Sequence, residues 1–471
     1  MASFENIVKS VSRRDVFWGY AASTVNVGAG LLLLPVIVRY QSAADVGLWF
    51  VFVALASLAQ LLDLGFQPTV ARNCAYLFAG AEKLTREGLP DAERPIGGVS
   101  TESLLQLVDA AKLIYLLISI VAALVLVVGG AIYVDSLLVP TQDRELTLIA
   151  WVIFATGYVI SLYYGYLNGL LQGRGDVTQA NKVVLITRGS FIVLGAATVV
   201  LGYGLLGLGI ASLFSALLGR VAAFLFFRAH ATFALSTHPS SPISSRFKLI
   251  GLLWGNASKL AIAQVGGFLV LRGSVLLASS MLGLVVAASY SLTVSVLSAL
   301  SNMSLVLCQT RMPLMSALQV KNDSKTLGLI YGETIVIAGL VYAAGFCVTL
   351  AFGNQLFLAL GSQTTLIAVW PMVVLGVIYF LEMNHALSAL FITTINQVPF
   401  VRAALLSGLA FIGLSFVLLE PLGLWGLIVA QGLVQLAYNN WKWPLMASRI
   451  LKKSIPALYL SGIRSSLKRW G

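Results

Sequence analysis

Long apolar runs alternate with short polar segments from one end of the chain to the other. The runs are close to unbroken, for example over residues 113–134 and 191–201. A helix needs about 20 apolar residues to cross a bilayer, whereas a transmembrane strand would alternate apolar and polar residues. The pattern therefore predicts an all-α membrane protein with about twelve transmembrane helices. The predicted spans lie near residues 17–38, 46–66, 112–134, 147–170, 183–202, 205–227, 250–278, 284–308, 328–352, 364–391, 400–419 and 424–446.

The composition agrees with a chain whose outer surface faces lipid. Hydrophobic residues make up 58% of the sequence, charged residues only 10%, and the mean hydropathy is +0.91. A soluble domain typically carries about 25% charged residues. The net charge of +12 does not indicate nucleic-acid binding, because the basic residues are dispersed between apolar runs. The first apolar run is long enough to span a bilayer, which predicts an uncleaved anchor rather than a signal peptide.

The distribution of basic residues predicts the orientation. Cytoplasmic loops of membrane proteins are enriched in Lys and Arg. With the N-terminus inside, the inward segments and adjoining helix ends hold 23 of the 30 basic residues, and the outward segments hold only Arg39 and Arg144. Adding or removing one span would reverse every later loop and destroy this bias. We therefore expect an even number of spans, with both termini in the cytoplasm.

A polar segment divides the chain into nearly equal halves. Residues 229–247 are rich in Ser, Thr and Pro, which is typical of a flexible linker. The sequence thus predicts a bundle of six helices over residues 1–228, a cytoplasmic linker, a second bundle over residues 248–447, and a basic cytoplasmic tail over residues 448–471.

The two halves resemble each other. Trp18-Gly19 recurs as Trp254-Gly255, and GLLGLGIA at 204–211 recurs as GLWGLIVA at 423–430. The matches keep their order and fall at corresponding helices of the same orientation, as in transporters built from parallel repeats. We expect two pseudosymmetric six-helix bundles around a central cavity, an arrangement suited to alternating access.

Familiar enzyme and cofactor motifs are weak here. Residues 202–207 satisfy G-x-G-x-x-G, but a dinucleotide site requires a preceding strand, so a tight glycine turn between two helices is the better interpretation. There is no phosphate-binding loop and no Ser/His/Asp constellation. We expect no catalytic residue, no cofactor and no metal, because the cysteines and histidines are too few and too scattered for a disulfide framework or a metal site. They are Cys74, Cys308, Cys347, His230, His238 and His385.

Charged residues inside the predicted spans are the candidate functional residues. A charge at the centre of a membrane helix costs about 2.5–3.5 kcal/mol on insertion scales. Arg220 lies well inside the sixth span, and Lys259 and Arg272 lie in the seventh. They are candidates for a cationic substrate site, although Arg272 is near enough to the outer end to snorkel to the headgroups. Other charges lie near cytoplasmic ends, where snorkelling or a structural ion pair is the simpler interpretation: Arg188, Asp63 and Glu333.

The tenth span carries a carboxylate and an imidazole on one face. Glu382 and His385 are three residues apart and so share a helix face. A carboxylate beside an imidazole can carry a proton, which makes this pair a candidate for ion coupling, and Asp63 is a third candidate. An ion pair with a basic residue of the other half would explain Glu382 equally well.

The seventh span also carries a candidate hinge. Lys259 and Arg272 point about 140° apart on a straight helix, and Gly266-Gly267 lies midway between them. Glycine pairs are a recognised cause of kinks. A bend there would let Lys259 or Arg272 face the cavity near Arg220.

Three segments resemble a known family. They are RYQSAADVGLWFVF (39–52), LLDLGFQPTVARN (61–73) and GLLQGRGDVTQANKV (169–183). They are similar to the polysaccharide-export branch of the multidrug/oligosaccharidyl-lipid/polysaccharide (MOP) superfamily, and more narrowly to the Wzx type of O-antigen flippase. The resemblance implies two bundles with twelve to fourteen helices and a basic cavity. The candidates for its lining are Arg220, Lys259, Arg272 and Arg188.

The expected activity follows from that resemblance. It implies a flippase that moves undecaprenyl-pyrophosphate-linked oligosaccharide, an O-antigen-type unit of lipopolysaccharide biosynthesis, from the cytoplasmic to the periplasmic leaflet of the bacterial inner membrane. A polysaccharide polymerase and a chain-length regulator are the expected partners, and the carrier is expected to be monomeric. The alternatives are an ion-coupled multidrug exporter, a peptidoglycan-precursor flippase and a membrane-embedded polysaccharide polymerase. The short outward loops, of which the longest spans about 135–146, argue against the polymerase.

Overall fold

The protein is helical throughout the part that the structure describes. In this computed structural model the described residues are 18, 32–63, 65–78, 81, 101–140, 142–229, 251, 264–320, 323–395 and 399–470. The chain divides into two compact units, the first comprising Met1–Gln41 and Val51–Ala261 and the second Ser42–Phe50 and Ile262–Gly471. The predicted linker, residues 229–247, lies outside the described residues except for Ala229.

The helices of the first half begin with residues 32–40, labelled α1. The remaining helices of this half are α2 (Ala43–Leu62), α3 (Phe66–Phe78), α4 (Thr101–Ala123), a π-helical segment (Leu124–Gly129), α5 (Gly130–Leu137), α6 (Arg144–Tyr163), α7 (Gly165–Gly173), α8 (Val177–Val200) and α9 (Gly204–Ala229).

The helices of the second half begin with residues 264–271, labelled α10. They continue with α11 (Gly273–Met281), α12 (Leu284–Val320), α13 (Ser324–Ala359), α14 (Val369–Thr393), α15 (Val401–Leu422), α16 (Leu424–Ala437), α17 (Asn439–Leu451) and α18 (Ile455–Trp470).

The structure confirms the all-α membrane fold. The described part of every predicted span is mainly helical, but residues 364–368 of the predicted tenth span are not helical and α14 begins only at Val369. A short turn at Leu282-Gly283 separates the seventh span from the eighth. Within the described ranges, nine helices are long and apolar enough to cross a membrane. The shorter apolar stretch Ala43–Ala59 lies in α2, which coincides with the predicted second span.

In the first unit, a π-helical segment interrupts the long helix that α4 and α5 form. Such a segment shifts the backbone hydrogen bonds and changes which carbonyls need partners. The indole Nε1 of Trp151 on α6 donates to the Leu126 carbonyl at 3.0 Å. Gly130 leaves room for the same ring, because a Cβ there would lie 2.9 Å from Trp151 Cε2. The interruption thus docks α6 against the α4–α5 helix.

Both repeated glycine segments begin with a glycine of positive φ. Gly204, the first residue of α9, has φ +56°, and Gly423, directly before α16, has φ +53°, values that L residues rarely adopt. Three residues later, Gly207 and Gly426 each pack against the preceding helix, at Thr198 and at Leu418. The glycine-turn interpretation of residues 202–207 is confirmed, since the segment joins two helices, α8 and α9.

In the second unit, the segment predicted as a basic tail, residues 448–471, holds the end of α17 and all of α18. Helix α18 packs along α13, where Gly462 and Gly332 meet so closely that neither position leaves room for a Cβ. Tyr459 Oη also donates to Asn384 Oδ1 at 2.9 Å. The C-terminal segment is therefore part of the folded unit.

Candidate functional site

Arg220 lies in the interior of the first unit. It occupies the middle of α9, and its Nη2 donates to Ser161 Oγ on α6 at 2.9 Å. Its Nε and Nη1 atoms are shielded from solvent and have no hydrogen-bond partner. Buried donors in native proteins nearly always have partners. The guanidinium therefore has donors available for a ligand.

A second arginine lies on the neighbouring helix. Arg188 on α8 directly follows Thr187, which packs against Gly219, the residue before Arg220. The two helices come together because Gly219 leaves space for the Thr187 side chain. Among the described residues, no carboxylate lies within ion-pair distance of either arginine. Two positive charges on neighbouring helices favour a bound anion.

The other predicted basic residues are in different settings. Lys259 lies outside the described residues. Arg272 belongs to the second unit, at the turn between α10 and α11, where it has φ −106° and ψ −34°, and it has interactions of its own. Within the first unit, the structure thus brings together Arg220 and Arg188.

The second unit contains a cavity of about 460 Å³. Its walls are mainly apolar, with polar groups from α12, α14 and α16–α17. These polar groups include Ser298, Asn302, Tyr379, Glu382, His385 and Gln435. Apolar walls with a few convergent polar groups are typical of small-molecule sites.

Glu382 is the acidic group of this cavity. Its Oε1 accepts a hydrogen bond from Gln431 Nε2 at 2.8 Å, and Gln435 lines the same cavity. Asn439 extends the network by donating to Gln435 Oε1 at 2.9 Å. Among the described residues, no cation lies within ion-pair distance of Glu382. The carboxyl group is held by neutral amides, which leaves it able to take up a proton or a cation.

His385 lines the same cavity but has a different partner. Its Nδ1 lies 2.8 Å from Asn440 Oδ1 on α17. The shared helix face predicted for Glu382 and His385 is present, since both line this cavity. Each is held by an amide of the α16–α17 region.

The two glycines of the predicted hinge have different surroundings. Both line the cavity. A Cβ on Gly266 would overlap the Ala404 backbone of α15, whereas a Cβ on Gly267 would meet nothing within 4 Å. In the described part of this span, the helix is interrupted at Arg272. Gly266 thus has a packing role, and a hinge at the pair stays a prediction.

Asp63 lies at the end of α2 in the first unit. Its Oδ1 accepts a hydrogen bond from Tyr115 Oη of α4 at 2.6 Å. Gly65, with φ +71°, turns the chain directly afterwards into α3. Asp63 therefore links the end of α2 to α4. Its partner Tyr115 is 52 residues away in the sequence, so sequence spacing does not predict this contact.

Several polar residues of these sites were not predicted from the sequence. They are Ser161, Gln431, Gln435 and Asn439. The signal available was the run of amides inside an apolar span, QGLVQLAYNN at 431–440. Amide side chains in a membrane helix seek partners within the protein.

Comparison with known proteins supports the fold. No family model and no curated protein sequence matches the chain. A solved inward-facing structure of a multidrug resistance MATE family transporter of the MOP superfamily matches with a TM-score of 0.63 and 15% identity, over 91% of this chain and 96% of that one. A MOP superfamily transporter from Pyrococcus furiosus, described as having a binding pocket of reverse polarity that suggests a different function, matches with a TM-score of 0.53 and 17% identity, over 94% and 96%. The chain is a multi-pass membrane protein with the fold of MOP superfamily transporters.

Proposed function

We propose that the protein is a flippase for a lipid-linked oligosaccharide. Its substrate would be an undecaprenyl-pyrophosphate-linked unit, moved from the cytoplasmic to the periplasmic leaflet of a bacterial inner membrane by alternating access. No covalent bond changes in such a reaction. A polysaccharide polymerase that receives the flipped unit is the proposed partner.

The observation that carries the proposal is the pair of arginines in the first unit. Buried charge inside a membrane protein is costly and marks functional sites. Arg220 retains two donor atoms without partners, and Arg188 adds a second positive charge on the neighbouring helix α8. A pyrophosphate diester carries two negative charges, which two guanidinium groups would balance.

The physical difficulty of flipping lies in the polar head. The charged and hydroxylated head cannot enter hydrocarbon without replacement of its hydrogen bonds to water. Guanidinium donors held in place by the protein replace part of that hydration, while the polyprenyl tail remains in lipid. Arg220 and Arg188 would supply such donors to the pyrophosphate while it crosses the membrane.

Charge substitutions at the pair test the proposal. Arg220→Glu and Arg188→Glu should abolish surface polymer and leave lipid-linked units facing the cytoplasm. Arg→Ala should be severe, and Arg→Lys milder, because positive charge is required first. Arg228→Ala is the matched control, since this arginine of α9 is exposed near the helix end. Normal polymer from both Ala variants at normal membrane abundance would refute the cationic site.

The acidic cavity supports a coupling role for Glu382 within the same proposal. A carboxyl group held by neutral amides can alternate between protonated and ion-bound states as the carrier changes conformation. Glu382→Gln should then remove the dependence of flipping on an imposed proton or sodium gradient. Retained gradient dependence in the variant would count against this role.

The same cavity favours one alternative, an ion-coupled multidrug exporter. An apolar cavity of about 460 Å³ with a single carboxylate suits an apolar cation, and matched structures are described as multidrug transporters. The alternative predicts that deletion sensitises cells to cationic drugs and that Glu382→Gln does so equally. The flippase proposal predicts instead that deletion causes loss of surface polymer and leaves drug susceptibility unchanged.

A further inference from the structure

Helix α18 lies about one bilayer thickness from the far end of the membrane helix that it packs against. Gly462 of α18 meets Gly332 of α13, and Gly332 lies about 40 Å along α13 from the helix end at Ala359. A bilayer with its headgroup regions is about 40–45 Å thick. Because α13 is long and apolar enough to cross the membrane, an Ala359 end at one surface places α18 among the headgroups of the other.

One side of α18 is held by the second unit. Lys452 turns the chain after α17 in a left-handed conformation, with φ +52°. Leu458 is buried, and its carbonyl lies beside Gly332. Tyr459 donates a hydrogen bond to Asn384 of α14. Helix α18 is therefore fixed to two helices, α13 and α14.

The opposite side of α18 is apolar and exposed. Leu460 lies two residues from the buried Leu458, which is about 200° around the helix. Leu460 is 55% exposed and Ile463, three residues on, is 43% exposed, so the two share a face. Arg464, one turn after Leu460, is also exposed and borders that face. An apolar strip edged by a cation is typical of helices that lie in a membrane interface.

The charge near this helix is positive. Residues 421–471 include seven basic residues and no acidic one. Arg449, Lys452 and Arg464 are exposed, and none of the three forms an ion pair with any residue that the structure describes. Such a surface attracts anionic headgroups, with a gain of about fivefold in affinity for each basic residue close to the membrane.

We infer that α18 is an interfacial helix that binds anionic phospholipid. Leu460 and Ile463 enter the boundary between headgroups and acyl chains, and Arg464 pairs with headgroup phosphates. Phosphatidylglycerol, with one negative charge and two acyl chains, has the chemistry that this face would bind. Since α18 contacts both α13 and α14, bound lipid stabilises the second unit. This role does not depend on the substrate of the carrier.

Nitroxide labels measure the depth of the apolar strip. Leu460→Cys and Ile463→Cys are made in the full chain with Cys74, Cys308 and Cys347 replaced by Ala, and each protein is reconstituted into vesicles of phosphatidylcholine and phosphatidylglycerol. Both labels should be relaxed by oxygen, which dissolves in lipid. Both should be shielded from a water-soluble nickel chelate present on the two sides of the vesicles.

Two further labels give the reference values. Leu340→Cys, at a position 64% exposed within α13, should report lipid. Ser454→Cys, in the exposed turn before α18, should report water. Labels at 460 and 463 that behave like the label at 454 would overturn the inference and leave this face to a protein partner.

Lipid specificity is measured by the melting temperature of the detergent-purified full chain. Dioctanoyl phosphatidylglycerol should raise it further than dioctanoyl phosphatidylcholine, the neutral match. Arg464→Ala should move the midpoint of the phosphatidylglycerol titration to about fivefold higher concentration. Arg39→Ala, which removes an exposed arginine of α1, is the matched control and should leave the midpoint in place. Leu460→Ser should also weaken the response to phosphatidylglycerol, without changing the melting temperature in the absence of lipid.

Three results would overturn the anionic-lipid site. The first is equal stabilisation by the two lipids, and the second is an equal shift of the midpoint in Arg464→Ala and Arg39→Ala. The third is stabilisation by glycerol 3-phosphate equal to that by phosphatidylglycerol, since a free phosphate would then suffice and the apolar strip would have no part. A selective response that Arg464→Ala and Leu460→Ser both weaken, and that Arg39→Ala retains, supports the site.

Discussion

At the scale of single residues, Gly266 and Gly267 show how neighbours in sequence differ in structure. Gly266 faces the backbone of α15 and a Cβ would lie 2.6 Å from Leu405 N, whereas Gly267 faces open space. Gly266→Ala should therefore lower the free energy of unfolding by about 1–3 kcal/mol, the usual cost of overpacking. Thermal unfolding of the detergent-purified protein measures this loss.

Gly267→Ala is the matched variant for that experiment. It introduces the same methyl group one residue away and should leave stability unchanged or slightly higher, because alanine favours helix. If the pair acts as a hinge, this variant should slow export without loss of stability. Equal destabilisation by both variants would contradict the packing assigned to Gly266.

The sequence predicted the candidate residues better than their contacts. Arg220 and Glu382 stand out because a charge deep in an apolar run is costly whatever surrounds it. The partners Ser161 and Gln431 come from other helices, and only the packing of the unit brings them close. The sequence grouped Lys259 and Arg272 with Arg220 only because all three lie inside predicted spans. That criterion does not reveal that Arg272 has interactions of its own in the second unit.

At the scale of helices, the repeated glycine segments make a paired prediction. Gly204, the first residue of α9, and Gly423, directly before α16, both have positive φ, which costs L residues about 1–2 kcal/mol. Gly204→Ala and Gly423→Ala should each lower stability by about that amount, as measured by thermal unfolding. Gly413→Ala inside α15, where a Cβ meets nothing, should be neutral or stabilising. A stable Gly423→Ala beside an unstable Gly204→Ala would show that the repeats differ.

Helix positions were predictable from the apolar runs, because length and hydropathy alone decide whether a segment can span lipid. Interruptions within spans were not predictable. Tyr164, Arg272 and Tyr438 each break a helix inside a predicted span. Such breaks depend on local packing, as at the π-helical segment, where Trp151 takes the Leu126 carbonyl. Helix α18 also escaped prediction, since its sequence is only weakly apolar and carries several basic residues.

At the scale of the whole molecule, the two units carry opposite chemistry. The first holds two arginines with no carboxylate close among the described residues, and the second holds a cavity whose charged group is Glu382. Under the proposed function, the first unit binds the anionic head and the second binds the coupling ion. Linkage then requires that occupancy of one site changes the affinity of the other by a reciprocal factor.

The direction of transport depends on how the chain is oriented across the membrane, and that orientation can be tested directly. Basic residues gather on one predicted side, which places the turn before α6 in the periplasm and the turn between α17 and α18 in the cytoplasm. Gln142→Cys and Ser454→Cys, each in a background with Cys74, Cys308 and Cys347 replaced by Ala, report on these turns. An impermeant thiol reagent should label position 142 in cells with a permeabilised outer membrane, and position 454 only after the inner membrane is opened.

Both variants must sustain surface polymer, so that labelling reports on a working carrier. If position 454 is labelled and position 142 is not while the inner membrane is intact, the predicted orientation is reversed. If both positions are accessible from the same side, the predicted number of spans between them is wrong.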